Sequence, residues 1–378
     1  MRLQKLFFHT FFILVFLGFI AGDVKAVQNT DGPGKTVKIG LLIPDNKSLA
    51  AKYGAEMAIR KANEKGGYNG KPFQLVVRSM EGPWGTGSKQ AVSLIFEENV
   101  AAIMGSSDGR NGHLIEQVTT KARIVFLSAW ASDPTLAQAF VPWYFSCVPN
   151  DNQQADALIE EIYTKRKITK IAVVSDNDYD SKLALESFIK RTKLAAKEDP
   201  LQLFYDNSNQ NYNDLIDQIS KADVRGIILF GKPSASMKLI NQLKQRKMNQ
   251  PVFGTLSLLD EDEFSDMDLK YYENVVLVSS GNLSGSKGLA FRNEFQKTYG
   301  KLAGAVAAYS FDGMSLLIEA IRNAGLDREN IQKALSKIHF EGVTGPIQFD
   351  DKGKRMGTPG LMEIKNGIPV TVEKQARL

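Results

Sequence analysis

Outside the first apolar stretch the chain offers few side chains with which to make or break bonds: His113, His339 and the single cysteine Cys147. A nucleophile needs a neighbouring base, and neither histidine lies near a recognisable nucleophile motif. His113 is predicted in the first turn of a helix, where a surface or capping role is the ordinary one. A zinc site of cysteines and histidines would need more than one thiol. Cys147 has no basic neighbour in sequence to lower its pKa and reads as an inert strand residue. No intramolecular disulfide is possible, so stability must come from packing.

Three further patterns imitate sites without completing them. Gly34-Lys35-Thr36 has the end of a phosphate-binding loop, but Asn29 stands where the first glycine belongs and a strand follows instead of preceding. Asp176, Asp178 and Asp180 have the opening spacing of a calcium loop. Ser181 replaces its glycine, and Ser187 its bidentate glutamate. The expectation there is a strand-to-helix turn with a solvated acidic rim. Glu261, Asp262, Glu263, Asp266 and Asp268 are expected to form a solvated helix face. The sequence therefore points to a protein without catalysis, metal or cofactor.

The elements that would position these residues alternate. Strand Val37 to Ile43 precedes a helix with Tyr53, Met57, Ala58 and Ala62 on one face; then come strand Phe73 to Val77, helix Lys89 to Glu97, strand Ala101 to Met104, helix Gly112 to Lys121 and strand Ile124 to Leu127. After the strand Tyr144 to Val148 the alternation restarts and runs to strand Asn274 to Ser279. Such alternation predicts an α/β fold of two doubly wound, Rossmann-like lobes, each with a parallel sheet covered on both faces. The helices Gly288 to Tyr299, Val306 to Ala324 and Glu329 to Lys337 need a sheet to cover. They are expected to return to the first lobe, with the C-terminal strands finishing the second. The lobes become residues 36–149 with 280–341, and 150–279 with 342–376, joined by a three-segment hinge.

Residues 1–26 read as an export signal: Arg2 and Lys5, an apolar run from Leu6 to Ala21, then the cleavage pattern Val24-Lys25-Ala26. The expected product is soluble and periplasmic. The formal net charge of +5 falls further when that segment leaves, and the remaining charges of both signs are interspersed. A nucleic-acid partner would call for a clustered basic face instead.

The opening "VKIGLLIPDNKSLAAKYGAEMAIRKANEKGGYNGKPFQLVV", the turn "LSAWASDP" and the late "EGVTGPIQFDDKG" resemble the leucine/isoleucine/valine-binding family of periplasmic solute-binding proteins over essentially the whole chain after residue 26. The resemblance implies a type I periplasmic-binding fold and a monomer that holds an amino acid, amide or related acid in the inter-lobe cleft. Its partner would be the membrane permease of an ABC importer. A sensor subunit serving a membrane receptor is the alternative.

Family positions transfer to particular residues. The loops Gly105 to Arg110, with Asp108, Gly109 and Arg110, and Ser128 to Ser132, with Trp130, Ala131 and Ser132, correspond to first-lobe ligand contacts. Trp130 backbone and the Ser132 hydroxyl match the carboxylate holders. Tyr53 matches an aromatic at the cleft mouth, Tyr179 a second-lobe aromatic, and Asp151 an acid at the first crossover. Residues near Lys232 and Leu256 complete the second lobe. Three departures stand out: the family's first-loop serine is Gly109, its acid after strand Pro251 to Phe253 is Leu256, and its aromatic after strand Gly226 to Phe230 falls near Pro233 or Ser234. Arg110 could pair with an acidic ligand or point into water. Trp84, Trp130, Tyr53 and Tyr179 could form an aromatic box, or some of them could be core.

Overall fold

A computed structural model describes residues 36–372 except 139–140, 207–210, 264–267 and 282. The export signal, and Gly34 and Lys35 of the glycine-lysine-threonine loop, lie outside the described residues. The first half of the chain gives β1 (Val37–Ile43), α1 (Leu49–Glu64), β2 (Phe73–Ser79), α2 (Thr86–Phe96), β3 (Ile103–Gly105), α3 (Gly109–Lys121), β4 (Phe126–Ser128) and β5 (Tyr144–Ser146). These strands form one parallel sheet in the order β2-β1-β3-β4-β5.

The second half gives α4 (Asp151–Ile159), β6 (Ile171–Ser175), α5 (Tyr179–Leu194), β7 (Leu201–Phe204), α6 (Asn213–Lys221), β8 (Gly226–Phe230), α7 (Pro233–Gln245), β9 (Val252–Gly254) and β10 (Val275–Val278). It continues with α8 (Ser286–Tyr299), α9 (Ala305–Ala324), α10 (Arg328–Ser336), β11 (Phe340–Gly342), β12 (Gly345–Ile347), β13 (Leu361–Lys365) and β14 (Ile368–Thr371). The second sheet runs β14-β13-β10-β9-β8-β6-β7; β13 and β14 are antiparallel additions to an otherwise parallel sheet.

Burial explains why the central strands are uninterrupted apolar runs. Every residue of β6, β8 and β10 is buried, as a parallel sheet with helices on both faces requires. Helix α9 does not stay with the second sheet. It lies against α1 so closely that a Cβ at Gly54 would sit 2.3 Å from the Ala307 carbonyl oxygen, and Gly313 faces Met104, Leu127 and Cys147 of the first sheet's region. Arg322 fixes the far end by donating to the carbonyls of Ala62 and Gly67.

The crossings between sheets are held by two buried ions. Asp312 accepts from the Val343 and Thr344 N–H groups and from the Thr344 hydroxyl. Arg355 donates to the carbonyls of Cys147, Thr344 and Pro346. Each connects segments that are distant in sequence, with hydrogen bonds filling what burial would otherwise leave unsatisfied.

Candidate functional site

Both sheets reverse their winding direction once: between β1 and β3 in the first, between β6 and β8 in the second. The crevice at such a switch point, beyond the strands' carboxyl ends, is where open α/β sheets take ligands. Here the two crevices face each other across one cleft of about 170 Å³, room for a small molecule. From the first sheet's loops come Pro44, Ser107, Asp108, Trp130 and Ser132; α4 supplies Asp151 and Gln154. The opposite wall holds Asp178, Asp180, Ser181 and Ala184 from α5 and its entry, and Phe230 at the end of β8 with Gly231 and Lys232 after it. Thr255, Leu256, Ser257, Asp260 and Glu263 close that side.

Helix starts set these side chains. Asp108 caps α3, accepting from the Asn111 N–H at 2.8 Å, and therefore α3 begins at Gly109 instead of Gly112 as predicted. Asn150 and Gln153 form a reciprocal capping box at the head of α4, which fixes Asp151 in its first turn. Asp178 caps α5, accepting from the Asp180 N–H, so that helix begins at Tyr179.

Six of the twelve residues singled out from the sequence line the cleft: Asp108, Trp130, Ser132, Asp151, Lys232 and Leu256. The other six lie elsewhere. Gly109, Arg110 and Tyr179 form a rim where the two walls touch. The Gly109 N–H donates to Asp180 at 3.0 Å, Arg110 sits over the Tyr179 ring at 5.4 Å, and the Tyr179 hydroxyl donates to Asp133 at 3.4 Å. Arg110 is exposed beyond that rim and does not reach into the cleft. Ala131 is buried in the first sheet's apolar core. Tyr53 stacks on Tyr299 at 4.3 Å, and Trp84 is 73% exposed on a glycine-rich turn. The aromatic box therefore does not assemble: Trp130 faces the cleft, edge-on to Tyr309, and Phe230 is the aromatic across from it.

The departures from the family pattern have local causes. A Cβ at Gly109 would lie 2.8 Å from the Asp133 Cβ and 3.0 Å from Asp180, so the closed rim excludes a serine there. Leu256 is buried and gives its N–H to Gln154, while acids enter the cleft further along the same segment at Asp260 and Glu263.

The acidic patterns differ most from expectation. Asp176 is fully buried and Asp180 faces the cleft, so the turn carries no solvated acidic rim. Burial raises the Asp180 carboxyl to about 7; the Gly109 N–H opposes this, and the nearby Asp108, Asp178 and Asp133 reinforce it. Asp151 is raised well above the carboxylate range by burial, partly offset by a Ser132 hydrogen bond. Asp260 is raised likewise, by burial and then by Glu261, Asp262 and Glu263. The run from Glu261 is not a solvated helix face either. Glu261 accepts from the N–H groups of Gly304, Val306 and Ala307 at the start of α9, and Asp262 accepts from Ala50 at the start of α1. Asp266 lies outside the described residues.

His113 is in the second turn of α3, not the first, with Nε2 bonded to Asp133 at 3.1 Å and to Thr135 at 2.9 Å. Cys147 is buried, and burial pushes its thiol up to about 12. Among the described residues no group of three or more His, Cys, Asp or Glu side chains is placed to hold a metal ion, and no helix is long and apolar enough to cross a membrane.

The sequence profile described as "Periplasmic binding protein" matches residues 36–367. The chain belongs to the periplasmic binding protein family. Among curated proteins, this family member is 24% identical to Leu/Ile/Val-binding protein homolog 1 of Brucella abortus (strain 2308), over 79% of this chain and 81% of that one. It is 23% identical to Glutamate receptor 3.1 of Oryza sativa subsp. japonica over 86% of its own length, and spans 40% of that receptor. Among solved structures, the branched-chain amino acid transporter substrate binding protein LivJ from Streptococcus pneumoniae, in complex with isoleucine, superposes with a TM-score of 0.78 at 20% identity, covering 89% of this chain and all of that one. A solute binding protein of an ABC transporter from R. palustris, in complex with benzoate, gives 0.77 at 16% identity over 89% and 95%. The two-lobed α/β architecture is thus that of type I periplasmic binding proteins, and these relatives and neighbours are named as binding proteins or as a receptor, not as enzymes.

Proposed function

We propose that this periplasmic binding protein captures a small amino-acid-like solute between its lobes and hands it to the permease of an ABC importer. The observation that carries the reading is the cleft itself: two switch-point crevices face each other, each with hydroxyls and a helix start, around a volume suited to a small molecule. On this reading the lobes are residues 36–149 with 280–341 and residues 150–279 with 342–376, the last four of these lying outside the described residues. The solute first meets Asp108, Trp130 and Ser132 of the first lobe and Asp151 at the crossover. Rotation then brings Lys232, Leu256 and their neighbours against it.

Closure is favoured only by contacts that the open form lacks. Gly109, Arg110 and Tyr179 therefore act at the rim, as contacts between lobes instead of contacts to ligand. The closed surface is what the importer's permease recognises, and the protein works as a periplasmic monomer.

The test is thermal unfolding against amino acids, amides and aromatic acids, since a binder raises Tm with ligand concentration. A selective shift that disappears in Trp130→Ala and Ser132→Ala is expected. No shift by any member of the panel, with folded protein free of carried-over ligand, would sink the reading. The benzoate-bound neighbour is the reason aromatic acids are in the panel.

A further inference from the structure

The charge of the cleft is lopsided. Six acidic side chains line it, those of Asp108, Asp151, Asp178, Asp180, Asp260 and Glu263, against one basic side chain, Lys232. That lysine is already committed: its Nζ lies 2.9 Å from Glu263. Arg110, the other cation close in sequence to the first-lobe loop, stacks on Tyr179 at the rim.

The acids are not all accounted for by helix caps. Asp151 is only 3% exposed, and its Oδ2 has no hydrogen-bond partner although the residue lines the cleft. A buried carboxylate oxygen without a partner is unfavourable, so it marks a place where a donor from outside belongs. The first-turn N–H of α3, where an anion would ordinarily settle, is occupied. Gly109 donates it to both oxygens of Asp180 from the opposite wall, at 3.0 and 3.3 Å. The protein's own carboxylate thus stands where an anionic solute would bind.

From these observations, and resting on the solute-binding reading above, we infer that the cleft is built for an organic ammonium of net positive charge, held between the Asp151 and Asp180 carboxylates with its apolar part against Trp130. Such a solute also explains closure. Bringing the two acidic walls together costs either like-charge repulsion or the uptake of protons by Asp151 and Asp180, and a cation between them removes that cost. An ammonium beside the indole face gains a further attraction. Anionic solutes meet the opposite: six acidic side chains in the lining and a single cation, Lys232, already paired with Glu263.

The experiment is calorimetry and thermal shift at neutral pH with L-lysine, L-arginine and putrescine as cations, L-leucine as the zwitterion, and L-glutamate and benzoate as anions. Wild type is compared with Asp151→Asn and Asp180→Asn. At least one cation is expected to bind, both variants to weaken it by about tenfold or more, and the anions to give no shift. Asp151→Asn should also raise the Tm of the free protein, which separates loss of binding from loss of fold; if it does not fold, Asp180→Asn carries the same comparison. Leucine or an anion binding more tightly than every cation would overturn the charge assignment and leave the solute-binding reading standing. No binding by any of the six solutes to folded, ligand-free protein would overturn both.

Discussion

The buried acids of this protein fall into two regions that treat the same chemical group in opposite ways. Asp312, at a crossing between the sheets, and Glu261, which ties the loop after β9 to the start of α9, are surrounded by donors: two N–H groups and a hydroxyl for the first, three N–H groups for the second. In the cleft, Asp151 keeps an oxygen with no partner, and Asp180 has one backbone N–H for two oxygens. Burial raises the pKa of all four. What separates them is how completely desolvation is compensated. A compensated acid holds two chain segments in place; an uncompensated one leaves a preference for whatever completes it.

The largest test of that contrast is Asp312→Ala. It would strand three donors in a buried place and free the segment before β12 from α9, so a loss of about 3 kcal/mol is expected in denaturant unfolding. Glu261→Ala removes the cap of α9 and should cost about 1 to 2 kcal/mol. Asp151→Asn in the cleft should go the other way, raising the stability of the free protein by about 1 kcal/mol because no donor is lost and a carboxyl whose burial opposes its ionisation is replaced by a neutral amide. Equal losses at Asp312 and Asp151 would erase the distinction.

The same contrast shows what could be read from the sequence. The alternation of β-branched runs with amphipathic helices was legible because fully buried parallel strands must be apolar throughout. Trp130, Ser132 and Asp151 were named through the family resemblance, and all three line the cleft. The state of the acids was not legible, because it depends on partners brought together by folding. Asp180 meets Gly109 across 71 residues, and Glu261 reaches α9 across 43 to 46. Read locally, both are acids in polar runs. Tyr53 and Trp84 show the converse: their types suit a binding site, but the first is taken by Tyr299 and the second lies in solvent. Asp108 could have been read more closely, since an Asp followed by Gly-Arg-Asn is a capping signal that would have started α3 three residues earlier.

The rim between the regions provides the smallest test. His113 touches Asp133, whose Oδ2 also accepts from Tyr179, so the histidine is joined to a contact between the lobes. Its pKa is raised to about 9 by the Asp133 and Glu116 carboxylates, with burial opposing them. Asp133 is lowered: burial pushes it up, but hydrogen bonds from His113 and Thr135 outweigh that. A histidine that is more basic folded than unfolded takes up a proton on folding. Its contribution is fully present below about 6.5 and is lost as pH rises through about 9. The acid on the other side has the reverse history. Its normal pKa is depressed in the fold, so its contribution is present above the unfolded value of ~3.9 and fades only in acid. Between those limits the pair is fully charged. His113→Gln should therefore lower stability by no more than about 1 kcal/mol near pH 6, because water screens the exposed part of the ring, and by nothing measurable above the folded pKa. A difference between variant and wild type that stayed constant across that range would show that the ring acts by packing alone, and that the rim owes nothing to its charge.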